Sequence, residues 1–137
     1  MGVRRSHEQS SSDLSAEPTS RFLRGVESIR RGEYFAAHEE LELAWRAAPR
    51  EERDFFQGLV HVAVAWYQAG RGRQIGTERQ LEKAIRRLTP FAPVHRGLDI
   101  EALLTQLRRA SQVAEANRVE HAVRIDLDAV KLVEEQQ

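Results

Sequence analysis

The chain has 137 residues, with 21 basic and 21 acidic side chains, a formal charge of +0, and no cysteine. That length suits one domain with a hydrophobic core of its own, and the lack of cysteine excludes disulfides and thiolate chemistry. The balanced charge lacks the basic excess with which nucleic-acid binders neutralise phosphates, and no apolar run approaches the ~20 residues of a membrane span.

We therefore expect a cytoplasmic protein with neither nucleic-acid nor membrane partners. Residues 1–17 carry Val3 and Leu14 as sizeable apolar groups. They bury too little surface to offset their ordering entropy, which predicts a disordered tail. From Pro18, a favoured early helical residue, Phe22, Val26 and Ile29 recur at helical spacing up to Gly32. A second helix carries "EYFAAHEELELAWR" and stops before Pro49. The third, over 51–70, is apolar nearly all round, which predicts a central helix covered on several sides. Gly58 inside it costs about 1 kcal/mol relative to alanine, which a closely approaching neighbour helix would explain. A fourth helix with Ile75, Leu81, Ala84, Ile85 and Leu88 on its apolar side ends at Thr89-Pro90. After a loop, Asp99 is placed to cap a fifth helix reaching about Asn117. The expected fold class is all-α: about five helices over 18–118, with a tail over 119–137.

In that tail Val123, Ile125 and Leu127 alternate with Arg124, Asp126 and Asp128. Period two reads as extended chain, packed on the bundle or on a partner, so a homodimer is one expectation. A short helix over Leu127–Val133 is the alternative. His95 and His121 show no partner at helical spacing and are expected on the surface. Arg79, Lys83, Arg86 and Arg87 are interleaved with Glu78 and Glu82, which predicts a salt-bridged solvent face.

At 100° per residue, His38, Glu42 and Trp45 share one narrow sector of the second helix, with Glu39 about 100° away from His38. Gln57, His61 and Gln68 share a sector of the third. Polar groups on so apolar a helix need partners. The economical arrangement turns the two stripes together, with Glu42 accepting from His61 or Gln57 and His38 bridging to Gln68.

The stretches "GEYFAAHEELELAWR", "FFQGLVHVAVAWYQAGRGR" and "GTERQLEKAIRRL" together resemble the family known as domain of unknown function 309. The resemblance spans roughly residues 20–110. His38, Glu39, Glu42, Trp45, Gln57, Gly58, Arg71 and Gly72 match its pattern. His61 stands where the pattern has Gln, Gln68 where it has His, and Arg73 where it has Asn. The resemblance implies a small all-helical bacterial or archaeal protein with no established activity.

Three readings of the stripe follow. In the first it is a structural His/Glu/Gln network that fixes the register of two helices, with no cofactor. In the second it lines a ligand- or protein-binding pocket with Trp45, Tyr67, Arg71 and Arg73. In the third, His38, Glu42 and His61 hold a divalent metal such as zinc in a hydrolase. "HEELE" is not the zincin H-E-x-x-H, because Glu42 stands where the second histidine would be.

Overall fold

The computed structural model describes residues 19–121 and 124–134. The disordered tail expected over 1–17 lies outside them. The described chain is an all-α bundle of five helices with one very small hairpin. Helix α1 covers residues 19–30, α2 Tyr34–Ala47, α3 Arg53–Gly70, α4 Gln74–Leu88 and α5 Ile100–Val119. Single 3-10 turns at Arg50–Glu52 and Thr89–Phe91 lead into α3 and out of α4. The hairpin pairs β1 (Val94–His95) with β2 (Leu98–Asp99), antiparallel.

Helix α3 is the centre of the bundle, with α2 on one side and α4 on the other. Phe55, Phe56, Leu59, Val62, Ala63 and Trp66 are all buried there. Short connections force α2, α3 and α4 to run antiparallel to their neighbours. The α3–α4 connection turns at Gly72, whose φ of +68° lies in the left-handed region open to glycine. Gly58 is the point of closest approach: a Cβ there would lie 2.6 Å from Leu88 Cγ of α4. Asp99 caps α5 as its position predicts, its Oδ1 accepting from Ala102 N at 2.8 Å.

Beyond α5 the segment 124–134 contains no helix; the short helix over Leu127–Val133 does not form. The segment runs extended along its own bundle and buries Ile125, Val130 and Leu132. Its far end meets the hairpin, where Leu98 and Glu134 form an antiparallel bridge. Among the described residues, no helix is long and apolar enough to cross a membrane.

Candidate functional site

On α2 the residues Ala37, Leu41 and Ala44 point into the core, which leaves His38 and Glu42 half-exposed along its flank. His38 Nε2 lies 3.1 Å from Glu42 Oε2, and the other carboxylate oxygen accepts from Arg46 at 2.8 Å. These pairs follow from i, i+4 spacing on one helix. Phe35 lies on the same flank, its ring 5.7 Å from His38 and 5.5 Å from Tyr67 of α3.

The polar stripe of α3 lies between its contacts with α2 and α4. His61 Nδ1 is 2.7 Å from Gln80 Oε1 of α4. Burial lowers the pKa of His61; the Gln80 bond opposes the shift, and the charges of Arg87, Lys83 and Arg86 add to it. Gln68 packs over Gly76, whose missing side chain leaves room for it: a Cβ there would be 3.4 Å from Gln68 Cδ. Arg87 reaches from α4 to Asp54 of α3 at 2.7 Å. The sequence did not single out Gln80, and it marked Arg87 only as part of a solvent face. Their signal is a second stripe, Gly76, Gln80, Lys83 and Arg87, at helical spacing on α4.

Four buried side-chain atoms here have no hydrogen-bond partner: His38 Nδ1, His61 Nε2, Gln68 Oε1 and Arg87 Nε. All four belong to this α2–α3–α4 face. The carboxylate beside His38 Nε2 favours a proton on that nitrogen, leaving Nδ1 a lone-pair acceptor in the neutral ring. His61 donates through Nδ1 to an amide oxygen, which leaves Nε2 as an acceptor. With the Gln68 oxygen, three of the four atoms are therefore acceptors.

The pairings differ from those expected. Glu42 binds His38 and Arg46 of its own helix instead of His61 or Gln57, and His61 turns to α4. No hydrogen bond joins His38 to Gln68, whose Oε1 has no partner. The reason is rotation: α3 presents its stripe to the cleft between α2 and α4, not to α2 alone. Among the described residues no group of three or more His, Asp or Glu side chains is gathered as a metal site, so His38, Glu42 and His61 do not meet as one. Trp45 and Tyr67 are set apart along the bundle. Phe35 touches Tyr67, and Trp45 lies ten residues further along α2, about 15 Å away at 1.5 Å per residue. Trp45 packs on the core. Tyr67 accepts from exposed Arg71 at 2.9 Å, and Arg73 sits exposed before the first turn of α4. Glu39 is exposed and Gln57 half-buried.

His95, expected to be an unpartnered surface histidine, is held by Glu52. Its Nε2 lies 2.6 Å from one carboxylate oxygen, while Arg96 Nε donates to the other at 2.7 Å. The His95 ring stands 4.6 Å from that of Phe55, and the Arg96 guanidinium 4.9 Å from the ring of Phe56. Burial works to raise the Glu52 pKa, but the hydrogen bonds and charges of Arg96 and His95 outweigh it and lower the value. Forty-three positions separate Glu52 from His95, so helical periodicity carried no trace of this cluster. The expected solvent face of α4 is also less paired than its pattern predicts. Glu78 meets Arg118 and Arg87 meets Asp54, and among the described residues Glu82 forms no ion pair.

Fold and site together define a small all-α domain with polar side chains along three adjacent helices. Residues 22–80 match the family described as domain of unknown function 309, which supports the resemblance read from the sequence. The match runs from α1 into α4, shorter than the resemblance over 20–110; it contains the α2 and α3 stripes and ends at Gln80. Among curated proteins and solved structures, none matches the chain.

Proposed function

We propose that this domain is a binding module, and that its α2–α3–α4 face receives a ligand rich in hydrogen-bond donors. One observation carries the reading: His38 Nδ1, His61 Nε2 and Gln68 Oε1 are buried on one face without a protein partner. A finished structural network would satisfy such atoms internally, because each unpaired buried polar group costs about 1–3 kcal/mol. A ligand supplying donors, such as an amide, a guanidinium or an alkylammonium group, fits two imidazole lone pairs and an amide oxygen. The lowered pKa of His61 supports it, since a neutral ring keeps Nε2 an acceptor at neutral pH.

The test is a thermal-shift screen of small amides, guanidines, amines and divalent metals. A ligand that binds only the folded state raises its melting temperature. The expected result is a rise with a donor-rich compound that disappears in His61→Leu and Gln68→Leu. No rise with any compound, together with both leucine variants melting well below the unsubstituted protein, would return the stripe to a purely structural role.

A further inference from the structure

On roughly the opposite side of α3 from this face, the segment 124–134 is held as a bound peptide would be. It makes no helix, and its main chain is bonded largely by side chains of the bundle. Trp66 Nε1 donates to the Asp128 carbonyl at 2.7 Å. Gln106 grips one stretch twice, donating to the Ala129 carbonyl at 2.8 Å and accepting from Lys131 N at 3.0 Å. Val130 N donates to the Tyr34 hydroxyl at 3.3 Å, and Arg30 donates to the Leu132 carbonyl at 3.0 Å. Asp99 N adds a strand-like bond to the Val133 carbonyl at 2.8 Å. Ile125, Val130 and Leu132 are the anchors, each 6% exposed or less. Main-chain bonds for affinity and apolar pockets for specificity are how a groove reads an extended peptide.

The polar partners of the segment's main chain named above come from α1, α2, α3, α5 and the hairpin. One flank is open: about 350 Å³ of space lies between α5 and the segment, bordered by Gln106, Arg109, Val113, Leu127 and Lys131.

Beyond α5 the chain is strained at one described residue. His121, just past the end of α5, has φ +55°, in the left-handed region where helix ends ordinarily place glycine. Strain at such a position favours exchange of the element beyond it, because the exchanged form keeps the groove's contacts and relaxes His121. We propose that the groove accepts residues 124–134 of a second copy of this chain, giving a dimer by reciprocal exchange.

Leu98 and Glu134 face each other across the bridge, so they report on whose segment fills the groove. A tagged chain with Leu98→Cys is mixed at high concentration with an untagged chain with Glu134→Cys, and the pair is oxidised. Because the native chain has no cysteine, exchange yields a tagged–untagged disulfide as its signature. His121→Gly, which makes the closed turn unstrained, should lower its yield several-fold. The proposal is overturned if no mixed disulfide forms while the double variant in one chain closes internally, or if His121→Gly leaves the yield unchanged. Native mass spectrometry of tagged and untagged unsubstituted chains covers the case in which Leu98→Cys does not fold. Mixed dimers are expected there, and they should vanish when both tails carry Val130→Asp and Leu132→Asp; their absence at the outset, or their persistence, overturns the exchange.

Discussion

His61 Nδ1 lies 2.7 Å from Gln80 Oε1, so the histidine in the middle of the central helix is tied to α4 and not to α2. That bond sets the tautomer and turns Nε2 into the bare acceptor on which the binding reading depends. The His61 pKa lies below its ordinary value of 6.5 because burial disfavours the charged ring. The Gln80 bond favours the charged ring, so Gln80→Leu should lower the His61 pKa further. Proton–carbon NMR titration of the imidazole measures it; a value at or above the ordinary one contradicts the burial.

The same shift fixes a stability window. Above pH 6.5 the unfolded chain gains no proton at His61 that the folded chain lacks. As pH falls through that value toward the lower folded pKa, the unfolded state takes up the proton first, and stability falls. His61→Leu should flatten urea-denaturation stability between neutrality and mildly acidic pH. An unchanged slope would place the coupling at another group.

Glu52 governs a more acidic window. Its pKa is held below 4.5, so its contribution is fully present above that value and is lost as pH falls through the folded pKa. Replacing the carboxylate leaves His95 and Arg96 without their acceptor. Glu52→Ala should cost about 1.5–3 kcal/mol, the range for hydrogen bonds to charged groups. Chemical denaturation at neutral pH checks it, and a loss below about 0.5 kcal/mol would show the cluster to be ornamental.

His38 and Glu42 should behave differently, because both are partly exposed and one turn apart on a single helix. Glu42→Gln should change stability by no more than about 0.5 kcal/mol, as solvent-screened i, i+4 pairs do. A much larger loss would support a structural role for the α2 half of the stripe.

Gly58 yields a prediction opposed to helix propensity. Alanine at this position gains about 1 kcal/mol in an isolated helix. Here its Cβ would meet Leu88 Cγ at 2.6 Å, and Leu88 is fully buried. Gly58→Ala should therefore destabilise by about 1–3 kcal/mol, the usual cost of overpacking. A melting temperature at or above that of the unsubstituted protein would show that α4 can move away.

How much of the site was legible depends on the range of each interaction. His38, Glu42 and Arg46 lie at i, i+4 steps, so helical spacing placed them on one flank. His61 and Gln68 were recognisable as polar interruptions of an apolar helix. Their partners were not, because the rotation of α3 between α2 and α4 is set by packing at Gly58, Leu88 and Phe55. His95 had no helical neighbour to betray it; the hairpin that returns after α4 carries it to Glu52, just ahead of α3.

By itself the sequence determined five amphipathic or apolar helices and their ends at Gly, Pro and Asp99, because those features rest on periodicity and local backbone preference; it left the last segment open between extended chain and a short helix. Only the tertiary structure decided that His61 faces Gln80, that Glu52 clamps His95 and Arg96, and that residues 124–134 lie in a groove of side-chain hydrogen bonds. Those contacts join residues from 19 to 102 positions apart. They exist only once core burial has fixed how each helix is turned.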